Sequence, residues 1–139
     1  MSDTWKRRRI EMRLIDSSVI VKYFSEEPGW ENVEGYLYEP ISIELSMIEL
    51  GSALLKKVRK NELDYKKAVE ILERYPDTFR FIEEKKHTSK AFEIARKYNS
   101  SIYDAMFIAA ALKNAYELVT CDNNQAELAR KVGVKTIEC

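Results

Sequence analysis

At 139 residues the chain has room for one domain with a sizeable core and needs no covalent staples to hold it. Its 23 Lys and Arg balance 23 Asp and Glu, so net charge marks neither a polyanion nor a membrane surface as partner. No stretch approaches the roughly 18 consecutive apolar residues of a membrane span, and the start lacks the apolar core of a secretory signal, so a soluble, cytoplasmic protein is expected.

In chain order, the basic "KRRR" at 6–9 is a local feature, read first as a solvated tail. "IEMRLI" (10–15) reads as a strand and "SSVIVKYF" (17–24) as a short helix ending before "EEPG". A helix around 30–38 stops at Pro40, and "ISIEL" (41–45) is a second strand. From Ser46, the positions Met47, Leu50, Leu54 and Val58 step at helical spacing. An amphipathic helix over 64–74 is ended by Pro76, and "FRFI" (79–82) alternates as a strand. "SKAFEIARKY" and "SIYDAMFIAAALKNA" read as helices; "ELVTC", "NQAELARKV" and "VKTIE" read as strand, helix and strand. No repeat or linker divides the chain. Alternating strands and helices argue one three-layer α/β domain with a parallel sheet.

Acids fall at one edge of this arrangement. Asp16 follows the first strand, Asp122 follows "ELVTC", and Asp104 and Glu49 are each placed in the first turn of a helix. In open α/β sheets ligands bind beyond the carboxyl ends of the strands. The chain has 17 Glu but six Asp, and three of the six stand here. Three of the acids, taken alone, have a capping explanation: Ser101-x-x-Asp104 and Ser46-x-x-Glu49 resemble capping boxes, and Asp122 suits an N-cap with Gln125 three residues on. Four at one edge are harder to assign to caps. Glu49 has Ser52 and Ala53, not Lys, at i+3 and i+4, so its own helix offers no ion-pair partner. Glu44 lies in the expected strand without such support.

The chemistry follows from what is missing. His87, beside "EEKK", reads as an exposed loop residue, which leaves no histidine pair for acid and base work. Ser17 and Ser18 have no His to activate them. Cys121 and Cys139 have no CxxC spacing, so neither structural zinc nor a disulfide framework is expected; a bond between the two stays open if their strands lie side by side. All-oxygen ligation points to Mg²⁺ or Mn²⁺, which can activate water and stabilise the leaving oxygen of a phosphodiester.

"LIDSSVIVKYF", "SMIELGSALLKK", "SIYDAMFIAAAL" and "LVTCDNNQAELARKVGV", in that order and spacing, resemble the signature segments of PIN-domain ribonucleases, especially VapC-like toxins. The resemblance covers about 12–138. Its acidic quartet falls on Asp16, Glu49, Asp104 and Asp122, with Ser17, Ser18 and Asn124 as polar helpers. It implies a five-stranded parallel sheet between helices, Mg²⁺ or Mn²⁺ in the quartet, RNA as substrate, a homodimer and a cognate antitoxin protein. The flanking basic residues Lys56, Lys57, Arg59 and Lys60, with Arg7 to Arg9, are expected to hold RNA phosphates. Other frames fit less well: a haloacid-dehalogenase-type phosphatase would want a second Asp where Ser18 stands, and "FRFIEEKK" lacks the phosphoacceptor Asp of a receiver domain. The rival from another class is a PIN-like module that holds RNA or protein without cutting.

Overall fold

The computed structural model describes residues 12–139, so the basic run at 6–9 and the first two residues of the expected opening strand lie outside the described part. Five short strands, β1 (Arg13–Ile15), β2 (Ile41–Ile43), β3 (Arg80–Ile82), β4 (Glu117–Thr120) and β5 (Thr136–Glu138), form one parallel sheet in the order β3-β2-β1-β4-β5. Six α-helices are described: α1 (Ser17–Phe24), α2 (Leu45–Arg59), α3 (Tyr65–Thr78), α4 (Thr88–Tyr98), α5 (Ile102–Asn114) and α6 (Asn123–Val132). The expected helix over 30–38 is a 3₁₀ segment, Trp30–Leu37.

Strand alternation divides the core. Leu14 and Leu118 point into a layer with Ile94 of α4 and the apolar face of α5, while Ile15 and Val119 point into a layer with Val19, Leu50 and Ile71 of α1, α2 and α3. Both faces of the sheet are therefore covered, as a parallel sheet requires. Helix α5 is buried continuously from Ala105 to Ala111, which explains why its sequence is apolar around the whole circumference rather than on one stripe. Helix α6 ends on Gly133 at φ +99°, a left-handed position that glycine takes without steric cost.

Three local expectations give way to long-range contacts. Helix α3 runs through Pro76 to Thr78, because buried Tyr75 and Phe79, with ring centroids 4.8 Å apart, anchor the chain on both sides of an exposed proline. Ser46 is not a cap: its hydroxyl is fully buried, donates to the Ile43 carbonyl at 2.6 Å and meets the Tyr75 hydroxyl. Helix α2 begins at Leu45, one residue earlier than expected and after Glu44, which is therefore not in a strand. A remote acid serves its first turn, with the Leu45 N–H donating to Glu84 Oε2 at 2.9 Å.

The β4–β5 pairing sets Thr120 opposite Glu138 and so brings Cys121 beside Cys139, where the two form a disulfide with Cα atoms 4.7 Å apart. At the opposite end of β4, buried Glu117 is held by Lys135 Nζ at 3.0 Å and Arg13 Nε at 3.6 Å.

Candidate active site

Strand order reverses between β1 and β4: β2 and β3 lie to one side, β5 to the other. A crevice forms at such a switch because the connections leave in opposite directions. Asp16 leaves β1 there and Asp122 follows β4, so two of the four acids are set by the topology itself.

Asp16 is buried, 4 % exposed, at the N-cap of α1. Its Oδ1 accepts from the Ser18 N–H at 3.0 Å and from the Ser18 hydroxyl. The Ser18 oxygen in turn accepts from the Cys121 N–H at 2.8 Å and lies 3.2 Å from Thr120 Oγ1, which accepts from the Asp122 N–H at 3.0 Å. A continuous polar path thus joins the two strand ends. Asp122 caps α6, its Oδ1 accepting from Asn124 N–H at 2.9 Å and Gln125 N–H at 3.2 Å.

The two helical acids are tied to this frame. Glu49 stands one turn inside α2, beyond the first turn, and accepts from the Ser17 hydroxyl. The capping box at α5 is half realised in the expected sense, with the Asp104 N–H donating to Ser101 Oγ at 3.1 Å. Gln125 Nε2 donates to the Asp104 carbonyl at 2.9 Å and locks the start of α6 against the start of α5. Sequence reading had Gln125 only as a cap partner and missed Thr120; the chain's single Gln, directly after Asp122-Asn-Asn, was the available signal.

Burial raises the Asp16 carboxyl from 3.8 to about 6, against the hydrogen bonds from Ser18, Thr120 and Val19 that favour its charged form. Glu49 is raised chiefly by burial, with the Asp104 charge adding to it. Asp104 lies exposed at the rim, but the protein around its carboxyl still raises it, and the Asp122 charge adds. The charges of Glu49, Asp104 and Asp122 therefore act on one another in series.

Among the described residues no three His, Cys, Asp or Glu side chains stand close enough to enclose a metal ion. The donor set nonetheless fits a hard cation: it is all oxygen, and Mg²⁺ commonly keeps several waters while using one or two carboxylates.

His87 is the main departure. It is buried, 8 % exposed, with Nε2 3.3 Å from Asn114 Nδ2 at the far end of α5, ten residues or about 15 Å from Asp104. The segment expected to be a loop is a 3₁₀ turn, Lys85–His87, that sets His87 at the N-terminus of α4; imidazole is still remote from the acids. Of the basic residues, Lys56, Arg59 and Lys60 line an open cleft of about 650 Å³ that begins at Glu49, whereas Lys57 does not line it. None of these four pairs with a carboxylate among the described residues. Arg7 to Arg9 lie outside the described residues.

A three-layer α/β/α domain with acids at the switch of a 3-2-1-4-5 parallel sheet is the class this geometry defines. The PIN domain model matches residues 13–131, and the chain belongs to that family. Ribonuclease VapC3 of Pyrobaculum aerophilum is 27% identical over 120 residues, covering 82% of this chain and 92% of its own. Among solved structures, PAE2754 from Pyrobaculum aerophilum superimposes with a TM-score of 0.73 at 20% identity, covering 92% of this chain and 84% of its own. FitAcB from Neisseria gonorrhoeae gives 0.64 at 18% identity, covering 91% and 97%. A toxin-antitoxin complex from Klebsiella pneumoniae gives 0.58 at 15% identity, covering 81% and 88%.

Proposed function

We propose that this chain is a metal-dependent endoribonuclease and the toxin of a toxin-antitoxin pair. The observation that carries the reading is the set of four acids on four separate elements, Asp16, Glu49, Asp104 and Asp122, ordered about the β1–β4 switch, with the charges of Glu49, Asp104 and Asp122 acting on one another. The similarity to Ribonuclease VapC3 supports RNA as substrate.

In this reading carboxylates of this set would hold Mg²⁺ or Mn²⁺, one or two of them directly with water completing the shell. Such a cation supplies charge against the phosphate oxygens and makes a water acidic enough to attack phosphorus at neutral pH. The chain does the rest. Ser17 orients Glu49, Ser18 and Thr120 orient Asp16, and the N-terminus of α6 fixes Asp122. Lys56, Arg59 and Lys60 draw the RNA backbone into the cleft that starts at Glu49. Lys57 is a weaker contributor by position. Asn124 lies beside Asp104 on the other flank of the acids.

The toxin-antitoxin complex among the structural neighbours supports a protein partner that occludes the site. Ile48 and Leu55, 72 % and 48 % exposed on α2 around Glu49, supply apolar surface for it. A homodimer, implied by the family resemblance, completes the proposal and is read by sedimentation. A second reading, an RNA-holding module that does not cut, draws on the wide spacing of the acids. Incubating RNA with Mn²⁺ and with EDTA separates the two: cleavage that needs the cation and leaves 5′-phosphate and 3′-hydroxyl ends is expected. Full cleavage in EDTA, or 2′,3′-cyclic phosphate ends, would overturn the metal-assisted mechanism, and RNA bound but uncut under both conditions would favour the module.

A further inference from the structure

Three hydroxyls meet inside the layer between the sheet and helices α2 and α3. They belong to Ser42 on β2, Ser46 in the first turn of α2 and Tyr75 on α3, and none of the three residues is more than 1 % exposed. Every buried hydroxyl has to find partners, a demand that apolar side chains filling the same space would not make.

Their hydrogens can be counted. Ser42 donates to the Ile15 carbonyl at 2.7 Å and Ser46 to the Ile43 carbonyl at 2.6 Å, so both serine hydrogens are committed. The serine oxygens are left as acceptors, and the one hydrogen of the Tyr75 hydroxyl, which is bonded with Ser46 and Ser42, serves them. Burial pushes the Tyr75 phenol up to about 12, so it keeps that hydrogen at any neutral pH.

What these hydroxyls hold lies directly beside two of the acids. The Ile15 carbonyl belongs to the peptide that joins Ile15 to Asp16, and the N–H of the same peptide donates to the Val119 carbonyl at 3.1 Å. That peptide is gripped on both edges, by β2 through Ser42 and by β4. Ile43 ends β2, and Ser46 stands one turn ahead of Glu49 on α2. Tyr75 reaches both serines from a helix that carries none of the four acids. We propose that the Tyr75 hydroxyl is a positioning group that holds the peptide before Asp16 and the start of α2 in register, and so sets Asp16 against Glu49. The inference rests on the reading of the chain as an RNA-cutting enzyme and deepens it by a residue that touches neither cation nor RNA. The Ser17 hydroxyl donates to Glu49 as well, so α2 is tied to the chain around Asp16 at two places. A site whose acids are held in this way is ordered before its cation arrives.

The test follows amide hydrogen exchange by NMR in the full-length protein in EDTA. It compares wild type with Tyr75→Phe and with Phe79→Leu, which loosens the ring packed 4.8 Å from Tyr75 and leaves the three hydroxyls in place. Tyr75→Phe is expected to lower the protection of the Asp16 amide about tenfold relative to that of Leu118 in β4. Phe79→Leu is expected to leave that ratio unchanged even where it lowers the melting temperature. Ser42→Ala frees the Ile15 carbonyl alone; it is expected to act on Asp16 as Tyr75→Phe does, and carries the test if Tyr75→Phe does not fold. With Mn²⁺ added, affinity by calorimetry should fall about tenfold in Tyr75→Phe and not in Phe79→Leu, and kcat for RNA should fall at unchanged KM because Lys56, Arg59 and Lys60 are untouched. An unchanged Asp16-to-Leu118 ratio in Tyr75→Phe, or equal losses in Tyr75→Phe and Phe79→Leu, would overturn the positioning role. Because exchange is read without cation or RNA, a lowered ratio in a protein that neither binds Mn²⁺ nor cuts RNA retains the hold on Asp16 and rejects the ribonuclease reading. Metal-dependent cutting with an unchanged ratio does the reverse.

Discussion

Replacing Asp16 with Asn tests the electrostatic cost of the site most directly. A carboxyl raised from 3.8 to about 6 is favoured in its protonated form by the fold. Its contribution to stability is fully present below the unfolded value and is lost as pH rises through the folded one. Two pKa units at about 1.4 kcal/mol each amount to about 3 kcal/mol of destabilisation above pH 6 in metal-free protein. Asn caps a helix about as well as Asp, keeps an oxygen for the Ser18 donors and presents an amide to the Thr120 hydroxyl. In EDTA, urea or thermal unfolding from pH 4 to 8 should show the wild type losing stability relative to Asp16→Asn between pH 4 and 6. At pH 8 the variant should be more stable by about 1–3 kcal/mol, or roughly 3–10 °C. Saturating Mn²⁺ should close the gap by stabilising only the wild type, by about 2.7 kcal/mol at 100 times its dissociation constant. A variant less stable than wild type at pH 8 in EDTA would show that the fold favours the ionised Asp16, and the reasoning would fail.

Other outcomes follow from the same geometry. Asp104→Asn keeps the cap but removes one charge next to Glu49 and Asp122, so it should abolish RNA cleavage and most of the Mn²⁺-induced rise in Tm while melting no lower than wild type in EDTA; retained cleavage and metal response would remove Asp104 from the site. Neutralising Lys56, Arg59 and Lys60 to Gln should weaken binding to single-stranded RNA and flatten the dependence of log K on log salt by about two; an unchanged slope would place the backbone contact elsewhere. Cys139→Ser opens a crosslink spanning 18 residues and should cost about 3 kcal/mol in unfolding experiments without reductant, with the difference vanishing when a dithiol is present.

The parts of the fold that depend on periodicity were legible in the sequence. The apolar stretch of α5, the strand at 117–120 and the cap at Asp122 all lie where local pattern puts them. What could not be read depends on partners distant in sequence. Glu84 serves α2 from 39 residues away, Tyr75 claims the Ser46 hydroxyl across 29, and the packing of Tyr75 and Phe79 carries α3 through a proline that would end an isolated helix. The disulfide likewise awaits strand register, which the spacing of two cysteines does not contain. At the candidate site, Asp16, Asp104 and Asp122 were legible as residues at strand ends and a helix start, while Glu49 lies one turn deeper in α2 than expected because the helix begins earlier. The bonds among Ser18, Thr120 and Gln125 that orient them were not, because each crosses between segments.

The parallel pairing of β1 with β4 has a consequence for when the site comes into being. Arg13 finds its partner Glu117 only across about a hundred residues of chain, and contacts of such separation form late and slowly during folding. A nascent chain emerging from the ribosome can present Asp16 and Glu49 long before the strand that brings Asp122 to them has been made. Helices α1 to α4 can collapse in that interval without producing the acidic cluster. The geometry of the candidate site is thus a property of the finished topology, complete only once β1 and β4 are paired.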